Sequence, residues 1–362
     1  MKKKKTGIRI NRFLCLTLIC VIMLCIIGFS DEKEVPVENQ VFINSMGVGY
    51  NIGNALDACD WSTMFTNKYG TGTEGIWGNP AITEEFVRTL AARGFGTVRI
   101  PVTYMNHIDG NGNIDPAWLA RVGQVANWII ANNMYCIVDI HHDTGNSGWI
   151  KATEDNYNAN SAKVASIINQ IAVFFNGYGD HLILEGFNEM VDAQCHWDNA
   201  PAESLNVYNR WNQLFVDTVR ATGGNNSSRY LLVNTYASTL GPANTSAFNM
   251  PNDSVPNRIL VGVHNYYDFN SLDASFANID KLRRRGYPVV IGEFGATVTA
   301  NFDRAAYAAK FISLSRQYGF CPIWWDNGQD PARNPKTCFS LYNRNNLTEY
   351  YSDILNSLMM KN

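Results

Sequence analysis

Charge is scarce in this chain. Of 362 residues only 17% are charged, and 29 Lys and Arg nearly balance 32 Asp and Glu, for a net charge of −3. That balance leaves no basic footprint for a nucleic acid partner. Cysteine is also sparse once the N-terminus is set aside. Cys59, Cys136, Cys195, Cys321 and Cys338 remain, an odd set with no C-x-x-C or Cys/His spacing. Neither a disulfide framework nor a zinc site is written there. No Pro/Thr/Ser-rich linker, low-complexity segment or short repeat follows the first forty residues, so a single domain is expected. No glycine-rich phosphate loop follows the first strand-like run, which argues against a doubly wound nucleotide-binding sheet.

Apolar residues make up 46% of the chain, and it carries nine Trp, seventeen Tyr and eighteen Phe. Such a composition builds a large packed core and excludes disorder. Most of these rings are expected in the core, and a few to line a binding cleft.

The N-terminus has its own logic. "MKKKK" with Arg9 and Arg12 precedes the apolar run "FLCLTLICVIMLCIIGF", and small residues surround Ser30. Residues 1–30 therefore read as a secretory signal cleaved near Ser30, with a membrane anchor over residues 13–29 as the alternative. The protein is accordingly expected outside the cell, or held at the membrane. Residues 31–41 are short, polar and acidic, and read as a linker into a domain spanning 42–362.

In that domain strand-like runs alternate with helix-like ones. The strand candidates are "MGVGYNIG" (46–53), "TVRIPV" (97–102), "YCIVDIHH" (135–142), "LILEGFNE" (182–189), "YLLVNTY" (230–236), "ILVGVHNY" (259–266), "PVVIGEFG" (288–295) and "PIWWDN" (322–327). They are β-branched and apolar without strict alternation, the mark of strands buried on both faces. Amphipathic stretches separate them. Thr83 is placed as an N-cap and Gly94 as a stop, and Asp115 with Pro116 opens the next helix. Eight strands with intervening helices predict an α/β fold, a (β/α)8 barrel.

In such a barrel the C-terminal ends of the strands form the active face. Here they end in Asn54, Arg99, His141–His142–Asp143, Asn188–Glu189, His264 with Tyr266, Glu293, and Trp325–Asp326. The fifth strand, with Asn234 and Tyr236, is the weakest. Random loop polarity does not predict that concentration. Glu189 and Glu293 end strands four and seven, roughly across the mouth. Two carboxyls facing each other suit hydrolysis of a glycosidic bond. Arg99 and Tyr266 are expected to hold Glu293 as a carboxylate. His264 is expected to orient Glu189, and Asn188 to bind a sugar 2-hydroxyl. Glu189 is then the acid, its pKa raised by the facing charge.

The segments "VRIP", "DIHHD", "GFNE", "VHNYY", "GEFG" and "WWDNG", in this order, resemble glycoside hydrolase family 5, and "NIGNALDA" with "WWDNG" resembles its subfamily 4. The resemblance runs from about Gly47 to the last helix. It implies a retaining endo-β-1,4-glucanase with Glu189 as acid/base and Glu293 as nucleophile. Arg99, His141, Asn188, His264 and Tyr266 match supporting residues. Trp325, or its neighbour Trp324, matches the Trp beneath the −1 sugar. His142 and Asn54 match residues lining the −2 and −1 subsites. The implied partner is a β-1,4-linked polysaccharide: cellulose, mixed-linkage β-glucan or xyloglucan, with xylan and mannan as alternatives. No cofactor or metal is expected, and a monomer is. Trp61, Trp149 and Trp197 are candidates for sugar stacking away from the cleavage point. Two other readings compete. A metal-dependent hydrolase would draw ligands from His141, His142, Asp143 and His264. A sugar-binding protein without catalysis would need a defective acid or nucleophile.

Overall fold

The computed structural model describes residues 32–360. The expected signal or anchor lies outside the described residues. No helix among them is long and apolar enough to cross a membrane. Eight parallel strands close into a barrel in chain order: β1 (Gly49–Ile52), β2 (Thr97–Ile100), β3 (Tyr135–Ile140), β4 (Leu182–Phe187), β5 (Leu231–Asn234), β6 (Ile259–Asn265), β7 (Val289–Phe294) and β8 (Cys321–Asp326). Pairing of β8 back onto β1, with Asn51 opposite Trp325, seals it. The (β/α)8 architecture expected from the alternating runs is therefore the observed one.

Helix α1 (Val37–Met46) precedes the barrel, and α2 (Glu84–Arg93), α3 (Pro116–Ala131), α4 (Glu154–Phe175), α5 (Ala202–Ala221), α6 (Pro242–Ala247), α7 (Leu272–Arg283), α8 (Arg304–Tyr318) and α9 (Ser352–Met359) follow in order. Their starts obey local chemistry. Thr83 accepts the Phe86 N–H at the start of α2, and Gly94 closes that helix in the left-handed region, where a Cβ is disfavoured. Asp115 caps α3 with Pro116 in its first turn.

Two apolar layers hold the fold. One fills the space between the barrel and its helices. The other lies inside the barrel's lower half, where Ile137, Ile183, Leu232, Leu260, Val290 and Ile323 meet Ile43 and Met46 of α1. Helix α1 begins before residue 42, where the domain was expected to start. The stretch read as a linker, 31–41, runs into a helix that begins at Val37 and plugs the barrel floor. Asn39, Ile43 and Met46, buried at spacings of four and three, form its inward face. Above the apolar floor the barrel interior turns polar, and Asn51, Arg99, Asp139, Glu185 and Asn234 are all buried there.

The strands stop earlier than the apolar runs suggest. His141, His142, Asn188, Glu189 and Tyr266 lie just past strand ends, in the loops of the upper face. Register shifts occur between β6 and β7 at Val263/His264, between β7 and β8 at Ile291/Phe294, and between β3 and β4 at Val138/Ile140. Irregularities of this kind re-aim side chains, and here they flank the strand ends that carry the polar residues. All five domain cysteines are free thiols, four of them buried.

Candidate active site

Arg99 organises the mouth of the barrel. Its fully buried guanidinium makes six hydrogen bonds. Nε and Nη2 clasp Glu185 at 2.6 and 2.9 Å. Nη2 also reaches Asp139 Oδ2 at 2.7 Å and Asn188 Oδ1 at 2.8 Å. Nη1 donates to Asn51 Oδ1 at 3.0 Å and to Glu293 Oε1 at 2.8 Å. Burial alone disfavours the charged guanidinium, but Glu185, Asp139 and Glu293 overcome it and hold the arginine firmly protonated.

Glu293 receives a second donor, the Tyr266 hydroxyl, at 2.8 Å. The Tyr266 phenol stays protonated, since burial and the charges of Glu293 and Glu189 push its pKa well up. Burial raises the pKa of Glu293 too, and His264, Arg99 and Tyr266 oppose that rise. Among the described residues the Glu189 carboxyl has one hydrogen-bond partner, His264 Nδ1 at 2.7 Å. Its pKa is pushed up from 4.5 to about 7, first by burial and then by the charge of Asp139, against Arg99 and His142. The expected asymmetry is present, but its main cause differs from the sequence argument: desolvation outweighs repulsion by the facing acid. His264 is driven downward by burial and stays neutral. It bridges the two acids, with Nδ1 3.5 Å from Glu293 Oε2. One oxygen from each acid and a His264 nitrogen lie within 4.8 Å of one another.

The floor beside this pair is aromatic. Trp325 lies parallel to His141, ring centres 5.7 Å apart at 5°. Gly53 permits this, because a Cβ there would stand 2.6 Å from the Trp325 ring. Trp324 is fully buried, donates to Phe339 O and packs edge-on to Phe294. Trp325 is therefore the cleft residue of the two. His142 sits against Asp57, Nε2 to Oδ2 3.5 Å, and edge-on to Trp61. Trp77 lies beside both. Asn54 takes a left-handed conformation at the end of β1, and its backbone N–H donates to Asp57. Trp149 and Trp197 are half-buried and tied down through Nε1, to Asp143 and Asn146 respectively.

The structure thus gathers Arg99, Asn188, Glu189, His264, Tyr266 and Glu293 into one bonded network, with His141 and Trp325 on its flank. His142 and Asn54 stand further along the cleft. The metal quartet considered above does not assemble. His141 and His142 cluster with Asp57, whereas His264 belongs with Glu189 and Glu293. Asp143 is engaged by the Tyr104 N–H and by Trp149. Sequence reasoning missed Asp139, Glu185, Asn51 and Trp77. The signal for the first two was a lone acid inside an apolar run, "YCIVDI" and "LILEGF", where an unpaired charge is prohibitive.

Two acids this close, one favouring its proton and the other braced by an arginine and a phenol, suit acid-assisted cleavage of an acetal, the chemistry of glycoside hydrolases. Comparison with known proteins agrees. The model of the cellulase family, glycosyl hydrolase family 5, matches residues 58–331. Endoglucanase A of Clostridium longisporum is 33% identical over 341 residues, covering 88% of this chain and 64% of its own length. A broad-specificity GH5-4 endoglucanase from Ruminococcus champanellensis, solved with cellotriose, superposes with a TM-score of 0.82 at 31% identity, covering 91% of this chain and all of that one (100%). A family 5 lichenase from Caldicellulosiruptor sp. F32, solved as a mutant with cellotetraose, gives 0.82 and 31% over 92% of this chain and 98% of its own. The chain belongs to glycosyl hydrolase family 5.

Proposed function

We propose that this protein is a retaining endo-β-1,4-glucanase in which Glu189 is the acid/base and Glu293 the nucleophile. The observation that carries the reading is the close, unequally partnered acid pair, with oxygens within 4.8 Å of each other. Retaining glycosidases hold their carboxyls at about 5–5.5 Å, and inverting ones need about 6.5–9.5 Å to admit a water. Glu293, held by Arg99 and Tyr266, attacks the anomeric carbon while Glu189 gives its proton to the departing oxygen. Once Glu293 is esterified its negative charge is gone. Glu189, now ionised, takes a proton from the water that releases the sugar.

Cellotriose and cellotetraose bound to the structural neighbours support a glucan backbone as substrate. Cellulose in accessible form and mixed-linkage β-glucan are the substrates of this reading, with xyloglucan next and xylan and mannan after it. Exposed Trp61 with Trp77 and His142 offers a stacking wall along one arm of the cleft. Release of the protein from the cell by cleavage near Ser30 fits a polymeric substrate too large to enter. The reading also holds that the enzyme acts as a monomer without a metal.

The test is a pair of variants. Glu293→Gln is expected to abolish turnover, by about a thousandfold or more, while retaining oligosaccharide binding. Glu189→Ala is expected to fail on polysaccharide yet keep a first-step burst on an activated aryl cellobioside. Near-native rates in Glu293→Gln would refute the assignment. A panel of the five polysaccharides, followed by viscosity and product size, decides the substrate and distinguishes endo from exo cleavage.

A further inference from the structure

The polar layer under the acids contains two carboxylates beyond the acid pair, Asp139 and Glu185, and the hydrogen bonds of the first have a definite direction. Arginine only donates. Arg99 Nη2 therefore meets the oxygen of the Asn188 amide, at 2.8 Å. The Asn188 NH₂ must then face His141 Nε2, 3.5 Å away. That contact is compatible with a lone pair on Nε2 and not with a second N–H. A neutral imidazole with a bare Nε2 carries its proton on Nδ1. Nδ1 lies 2.7 Å from Asp139 Oδ2. Asp139 must therefore accept there, as it does from Arg99 Nη2 at 2.7 Å and, through Oδ1, from the Val102 N–H at 2.8 Å. All three donors converge on an acid whose side chain is wholly buried.

We propose that Asp139 is a positioning residue for the reaction: as a buried anion it locks His141 in the Nδ1–H tautomer, so that Nε2 faces the cleft as a hydrogen-bond acceptor for a hydroxyl of the sugar held beside Glu189 and Glu293. This rests on the function proposed above. Asp139 works through His141 and Arg99 and touches no reacting atom. Its charge also acts on the pair: it helps raise Glu189, and it competes with Glu293 and Glu185 for the same guanidinium. The other ionisable groups around it are His142 and Asp57. Burial lifts the Asp139 carboxyl to about 6 despite Arg99, which leaves it ionised at neutral pH.

Asp139→Asn preserves shape and reverses the pattern. An amide cannot accept on both sides, so either the Val102 N–H or the Arg99–His141 side meets another donor. In the second case His141 moves its proton to Nε2 and collides with the Asn188 NH₂. The chain has six histidines, few enough for ¹⁵N spectra of labelled enzyme to be read ring by ring, with His141→Gln assigning the signal. The wild-type protein at neutral pH is expected to show His141 protonated on Nδ1. Asp139→Asn is expected to lose that signature and about ten- to hundredfold in kcat/KM, the range for losing an outer partner of an oriented histidine. Removing the charge is also expected to move the alkaline limb of the pH–rate profile down by about half a unit to one unit. Glu185→Gln removes a neighbouring charge without touching His141 and should keep the tautomer.

Wild-type His141 protonated on Nε2 would overturn the proposal even if no Asp139 variant folds. So would a folded Asp139→Asn enzyme with an unmoved tautomer and an unmoved alkaline limb. An active Glu293→Gln would instead sink the underlying glycosidase reading, and the two failures are therefore distinguishable.

Discussion

Replacing Glu189 by Gln should make the protein more stable, and only above a certain pH. The fold resists ionisation of this carboxyl: its pKa rises from 4.5 to about 7, chiefly through burial. Between those values the native state holds a proton that the unfolded chain has released. Stability contributed by that proton is complete below pH 4.5 and is lost as pH rises through 7. At 1.36 kcal/mol per pKa unit the difference corresponds to roughly 3 kcal/mol. The side chain keeps 25% of its surface exposed and has His264 beside it, so screening reduces this to about 1–2 kcal/mol. Glutamine keeps the shape and cannot ionise. Urea denaturation of both proteins at pH 5 and pH 8 reads the effect, because groups away from Glu189 titrate alike in the two and only its neighbours Glu293, His142 and Tyr266 feel the lost charge. The expected result is near equality at pH 5 and a Gln variant more stable by about 1–2 kcal/mol at pH 8. Parallel curves at both pH values would show that the fold does not penalise Glu189 ionisation, and the assignment of the acid would lose its physical basis. The same ionisation should set the alkaline limb of the wild-type activity profile.

Other perturbations test other parts of the molecule. Arg99→Lys cannot reproduce the paired contact with Glu185 or reach Asp139, Asn188 and Glu293 together; it should cost about 3–5 kcal/mol by leaving buried acids unpaired, measured by urea denaturation. His107 is buried against Trp118, ring centres 3.6 Å apart, and burial pushes its pKa down to about 3. The unfolded chain therefore takes up a proton below about pH 6.5 that the native state refuses. His107→Phe should flatten the acid loss of stability by up to about 1.4 kcal/mol per pH unit between 6 and 4; an unchanged slope contradicts the account. Ile43→Ala opens the barrel plug and should cost about 2–4 kcal/mol with turnover little changed, read by denaturation and initial rates in parallel.

Much of this architecture was legible from residue pattern because parallel strands buried on both faces must be continuous apolar runs, and "VVIGEF" or "YCIVDI" can hardly be anything else. The caps at Thr83 and Asp115 were legible because their oxygens answer a fixed backbone demand. What escaped was information carried by direction. Trp324 and Trp325 are distinguished only once the strand is placed, since Trp325 then shares the inward face of Ile323 and Asn51 while Trp324 pairs with Tyr50 on the outer face. Helix α1 escaped because two exposed valines, Val37 and Val41, blur its amphipathic period. Asp139 and Glu185 escaped because each looks like an error in a strand until Arg99 is placed between them.

That placement has a consequence for how the enzyme can vary. Arg99 on β2 ties together acids from β3, β4 and β7, so the contacts that oppose protonation of Glu293 also hold the upper barrel closed. A change in this layer alters stability and reactivity together, and a partial change leaves a buried charge unpaired. Substitutions there are consequently costly in both respects. Among the described residues, the loop between β1 and α2, which carries Trp61 and Trp77, and the part of the loop after β4 that lies beyond Asn188 and Glu189 and carries Trp197, offer no hydrogen-bond partner to Arg99 or Glu293. They are free to change shape without disturbing the charges. Exchanging these loops between relatives should move preference among unbranched, branched and axial-hydroxyl backbones while leaving the pH limbs of the reaction where they were.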